Sequence, residues 1–203
     1  MGALFAFREG SLLRVAAAVA PLLATRDEGA WRKLWPGLAL AWDLPVVLRD
    51  ADLPGPAPAA SWLPGPHASE HQQFLRALAR SLAASRTELQ ETKWHVTFPE
   101  LSDEEAGCEL GDSDEYEALG QHVFTAGAMP AGLEFLAEPN VATNWVSAAT
   151  VKRLWDLERT EGLLLAAGSQ MNTPLGRDFL NLRALLQIGQ HSGWALYLWD
   201  PGS

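Results

Sequence analysis

Apolar and polar residues alternate along this chain with two periods, and each change of period marks an element. Residues 3–7 (ALFAF) and 194–199 (WALYLW) are apolar on both faces. Such runs predict strands in the interior of a sheet. Residues 93–98 (KWHVTF) alternate, with Trp94, Val96 and Phe98 on one side and Lys93, His95 and Thr97 on the other. This is the period of a half-buried strand. Residues 38–48 (LALAWDLPVVL) form an apolar run interrupted by Pro45. Proline cannot donate to a ladder, so an edge or bent strand is expected there. A short strand over 132–136 completes the set.

The helical period appears in between. Ser11 is placed to cap a helix over LLRVAAAVAPLLA, with Pro21 expected to kink or end it. A short helix over 27–34 sets Trp31 and Trp35 at i and i+4. The next helix is capped by Gly65 or Ser69 and is expected to run to about Glu91. Phe74, Leu75, Leu78 and Leu82 form its apolar stripe, and Arg76, Arg80 and Arg86 lie outside it. Residues 114–125 read as helical. Ser147 caps a helix expected through about Ala167, with Val151, Leu154 and Trp155 facing inward. Thr173-Pro174 opens another, since Thr caps and Pro is pre-set for the first turn. It carries Leu175, Phe179, Leu182 and Leu186 on one face and should end before Gly193.

These elements predict a single α/β or α+β domain over residues 1–203. A small mixed sheet of four to five strands, including the N- and C-terminal ones, packs with five to six helices. Two segments interrupt the periodicity. Residues 50–66 hold five prolines in 17 positions, which favours an extended loop. Residues 99–113 form an acidic loop.

Composition places the chain among globular proteins, at 48% hydrophobic and 20% charged. No stretch reaches the roughly 18 apolar residues of a membrane span. The apolar segment 15–24 has Glu9 upstream and no A-x-A site after it, so it reads as a helix rather than a signal peptide. A single cysteine, Cys108, excludes an intramolecular disulfide and fits a reducing, cytoplasmic setting.

Charge changes the picture most. Nine of the 25 acids lie between Glu100 and Glu117, where no Lys or Arg occurs, and the remaining 16 face 15 bases. The segment thus holds nearly the whole net charge of −10. Phosphate backbones are repelled there, so nucleic acid is not an expected partner, whereas a basic protein surface is attracted.

The chemical motifs are few. His67, Glu70 and His71 (HASEH) set two imidazoles at i and i+4, about one helical turn apart, where both can reach one zinc ion. H-x-x-E-H resembles the inverzincin motif of insulin-degrading-type peptidases over five residues. The resemblance implies zinc held by His67 and His71, with Glu70 as general base and an acidic third ligand downstream. Glu134, Glu138, Asp156 and Glu158 are the candidates. Pro64-Gly65-Pro66 places His67 at or before the first turn, which equally describes a capped helix start. His95 and Cys108 flank the acidic segment, whose carboxylates disfavour a thiolate. In DSDEYE at 112–117, Tyr116 and Glu117 occupy positions where a calcium loop needs a ligand and a glycine. G-x-S-x-G, G-x-G-x-x-G and G-x-x-x-x-G-K-[ST] are absent from the sequence.

The sequence therefore favours a binding protein over an enzyme. The expectation is a regulatory, inhibitory or immunity-type interaction module. Asp103, Glu104, Glu105, Glu109, Asp112, Asp114, Glu115 and Glu117 would meet a basic partner, and Trp62 and Trp145 would serve as contact residues in loops. The alternatives are a zinc-dependent hydrolase at His67, Glu70 and His71 and a small-molecule site lined by tryptophan.

Overall fold

A computed structural model describes residues 2–25, 27, 29–30, 33, 68–89, 123, 127–170, 172–191 and 193–201. The elements in chain order are β1 (Ala3–Arg8), α1 (Glu9–Thr25), α2 (Ala68–Ser81), β2 (Ser85–Glu88), a 3₁₀ turn (Glu134–Leu136), β3 (Ala142–Val146), α3 (Ala148–Glu161), α4 (Leu163–Gln170), α5 (Pro174–Ile188) and β4 (Trp194–Asp200). The fold is a small mixed α/β domain of the α+β kind. Its four-stranded sheet has the order β2-β1-β4-β3. All three described ladders are antiparallel, so the expected mixed sheet is antiparallel throughout its described part.

The described chain forms two compact units. The first holds the sheet, α3, α4 and α5. As their apolar runs predict, β1 and β4 are the two central strands, in register from Ala3↔Trp199 to Arg8↔Trp194. Leu4, Ala6, Val146, Leu196 and Leu198 line one face and join a core with Val151, Leu154, Trp155, Phe179, Leu182, Leu185 and Leu186 of α3 and α5. The other face is aromatic. Phe5 lies opposite Tyr197 at 5.9 Å between ring centroids, and Phe7 stacks on Trp145 at 6.1 Å. Offset ring pairs of this kind add to the stabilisation from burial alone.

Helix ends are set by local chemistry. Ser147 caps α3 by accepting from the Thr150 N–H, and Thr173 caps α5 by accepting from Gly176 N–H. Gly162, at φ 69°, ends α3 in the left-handed conformation that glycine adopts without steric penalty. The helix expected through Ala167 is therefore two helices. Gly189 permits close packing of a different kind: a Cβ there would stand 2.1 Å from Val151 Cγ1.

The second unit comprises 10–83 and 130–136. Leu12, Val15, Ala16 and Val19 form the buried stripe of α1 at helical spacing. Ser11 lies inside α1 rather than capping it. Pro21 does not end the helix, which runs one turn further to Thr25, whose hydroxyl donates to the Pro21 carbonyl at 3.2 Å. The strand expected over 132–136 is instead a 3₁₀ turn, where Glu134 Oε2 accepts from Gly132 N–H and Arg76 of α2 donates to the Phe135 carbonyl.

Two further expectations change. α2 ends at Ser81 rather than near Glu91, because 85–88 (SRTE) pairs with β1 as an edge strand. Residues 142–146 (ATNWV), not anticipated as regular structure, form β3. The strands expected over 38–48 and 93–98 and the two loops at 50–66 and 99–113 lie outside the described residues. So does the helix expected over 114–125 apart from Val123, and only Asp27, Gly29, Ala30 and Lys33 of the short helix at 27–34 are described.

Candidate functional site

Residues from opposite ends of the chain build a groove of about 420 Å³ in the sheet unit. Arg8 ends β1, and its register partner Trp194 begins β4. The Arg8 guanidinium lies 5.4 Å from the centroid of the Trp194 ring. Ala184, Gln187 and Ile188, from the end of α5, and Gln190 and His191, from the turn that follows, complete the wall. Gly193, at φ 94°, turns the chain into β4, and its carbonyl accepts from the Glu9 N–H at 2.9 Å. The groove thus forms where a strand pair ends beside a helix C-terminus. No motif announced it; only the pairing of β1 with β4 brings Arg8 to Trp194.

Three described acids of this unit, Glu158, Glu9 and Glu138, have internal tasks. Glu158 of α3 is 1% exposed. Its carboxylate accepts from Leu164 N–H at 2.9 Å, from Leu165 N–H at 3.2 Å and from Arg183 Nε at 2.9 Å. One side chain therefore accepts from the orphan N–H groups at the start of α4 and ties α3 to α5. The Arg183 guanidinium also lies over Trp155 at 5.5 Å. Glu9 accepts from Trp145 Nε1 and from Ala148 N–H, the latter at the start of α3. Glu138 accepts from Trp199 Nε1 at 3.1 Å. On the outer face of α3, hydrogen bonding to Lys152 holds the Asp156 carboxyl below the usual carboxylate range; burial opposes it, and the charges of Lys152 and Arg159 assist.

The anticipated site residues are placed as follows. α2 is described from Ala68, and His67 lies outside the described residues. His71 lies in its first turn and is half-buried, and the side chain of Glu70 is outside the described set. The four proposed third ligands are all engaged: Glu134, Glu138 and Glu158 by the hydrogen bonds above, and Asp156 by Lys152 at 2.6 Å. Among the described residues, no three His, Cys, Asp or Glu side chains gather as a metal site would require. Asp103, Glu104, Glu105, Glu109, Asp112, Asp114, Glu115, Glu117 and Trp62 lie outside the described residues. Trp145, expected in a loop, lies in β3; it is half-buried, stacked on Phe7 and bonded to Glu9. No helix among the described residues is long and apolar enough to cross a membrane.

Comparison with known proteins identifies no relative: no protein-family model matches the chain, and neither a curated protein nor a solved structure shows significant similarity to it.

Proposed function

We propose that the protein is an interaction module of regulatory, inhibitory or immunity type, presenting its acidic segment to a basic protein partner. The observation that carries this reading is the confinement of nine uncompensated acids to the stretch from Glu100 to Glu117. Glu9, Glu138 and Glu158, by contrast, answer N–H groups within the fold. Segregation of this kind supports a dedicated binding function, since a concentrated single-sign field speeds encounter and selects partners of opposite charge. The single cysteine fits a reducing compartment such as the cytoplasm.

The test is affinity capture on the immobilised protein at low and high salt. A variant with Glu104, Glu105 and Glu115 changed to Gln, and Asp112 and Asp114 to Asn, is run alongside. One basic protein retained in stoichiometric amount, released by salt and lost by the variant, is the expected result. Equal retention by the variant, indifference to salt, or a broad spread of basic proteins characteristic of simple ion exchange overturns the reading. The zinc alternative rests on the spacing of His67 and His71. Elemental analysis of chelator-free protein decides it: near-stoichiometric zinc that His71→Ala removes would replace the interaction reading with a metal site.

A further inference from the structure

The groove beside Trp194 has a chemistry opposite to that of the acidic segment. Arg8 and His191 are its ionisable lining groups, both basic, and its lining contains no carboxylate. Arg8 is exposed, and among the described residues no carboxylate pairs with it. Its contact with the Trp194 ring favours a guanidinium held over the ring. A guanidinium oriented in advance loses less freedom when its fork of N–H donors grips an oxyanion. Gln187 and Gln190 add amide donors and acceptors, while Ile188 and Trp194 supply an apolar wall.

One effect opposes an anion here. The C-terminal end of α5 presents partial negative charge, about half an elementary charge. The turn reduces it, because the Gln187 and Ile188 carbonyls accept from the N–H groups of Gln190 and His191 at 3.2 and 3.3 Å. The full charge of Arg8 outweighs the remainder. The groove is open to solvent along most of its lining, and its volume, about 420 Å³, exceeds what an inorganic anion fills.

We propose that this groove binds a small organic oxyanion, a carboxylate or phosphate monoester with a compact apolar body. The head engages the Arg8 fork, with His191 and the two glutamines around it. The body lies against Ile188 and Trp194. The groove is lined by no residue of the acidic segment, so either proposal can fail alone.

The test follows ¹H–¹⁵N NMR signals of the Gln187 and Gln190 side-chain amides and the Trp194 indole in the full chain. The probes are benzoate and phenyl phosphate, with benzamide as the neutral analogue and inorganic phosphate as the bare head group. Saturable shifts with benzoate or phenyl phosphate are expected, and which of the two binds tighter identifies the head group. Affinity should fall by about tenfold or more in Arg8→Gln, less in Arg8→Lys, and not at all in Arg153→Gln on the outer face of α3. Melting curves verify that each variant is folded, and Arg8→Lys preserves the test should Arg8→Gln unfold. Binding of benzamide or inorganic phosphate as tight as that of the organic anions, unchanged affinity without the Arg8 guanidinium, or no saturable shift with either organic anion overturns the proposal.

Discussion

On the inner face of α3, Glu158 is sealed from water and holds a guanidinium and two backbone N–H groups. On the outer face, two residues earlier, Asp156 pairs with Lys152 at 2.6 Å, with both side chains about half exposed. The shorter ion pair is the weaker contributor. Water screens the outer pair and solvates each partner when it parts, so its formation adds little. Removing either partner of the inner pair leaves a charge or a donor in a place water does not reach, and the penalty is that of desolvation. Distance and environment therefore rank these two contacts in opposite orders.

The largest test of this contrast is Glu158→Ala. It leaves Arg183 and the Leu164 N–H without the carboxylate that accepts from them. Urea unfolding should register a loss of about 3 kcal/mol, the low end for broken buried pairs, because Arg183 is itself 30% exposed. Glu158→Gln, which keeps an acceptor oxygen, should lose roughly half as much. A loss for Glu158→Ala no greater than for a surface substitution would erase the distinction between the faces.

Next in size is Gly189→Ala, which probes the apolar part of the inner face. The added methyl meets Val151 Cγ1 and the Leu186 carbonyl, and about 1–3 kcal/mol should be lost to overpacking. Val151→Ala in the same chain should recover part of that loss, a coupling readable from a double-mutant cycle. Smaller again is Ser147→Ala, which removes the acceptor for Thr150 N–H and should lower stability by about 1 kcal/mol in the same assay.

The smallest change is expected for Lys152→Ala. Its signature is in titration rather than stability. With the hydrogen bond and charge of Lys152 gone, the Asp156 carboxyl should rise to its ordinary range, since burial opposes the remaining pull of Arg159, and NMR titration of Asp156 reads this directly. The sign follows from linkage. A carboxyl lowered in the folded state contributes stability above its unfolded value and loses it as the pH falls through the lowered one. The variant should therefore show a shallower acid-side decline than the parent. An unmoved Asp156 titration would mean that the pair does not form in solution.

Much of the sheet unit was legible in the chain. The two-sided apolar runs of β1 and β4, the Ser147 cap and the Thr173-Pro174 start all report local requirements that no tertiary context needs to supply. β2 was not legible. SRTE has no apolar residue, and its conformation comes from the open hydrogen-bonding edge of β1, as Ala84 N–H to Ala6 and Leu89 N–H to Gly2 show. β3 was obscured by Asn144 and Thr143, polar residues that proved buried; Asn144 Nδ2 donates to the Val123 carbonyl. The break at Gly162 had a signal, a glycine between a polar helix and an apolar one, which the continuing periodicity outweighed.

The sequence by itself determined which strands lie at the centre of the sheet, where α3 and α5 begin, and that the net charge gathers in one segment. These follow from the side chain's own hydrophobicity, hydrogen-bonding groups and charge. Only the tertiary structure decided that Glu158 would bind three helices together and that Arg8 would meet Trp194 and His191 around a groove. Both depend on antiparallel pairing and helix packing that join distant residues. A carboxylate or a guanidinium carries no local mark of whether its partner will be water, a backbone N–H or an aromatic ring.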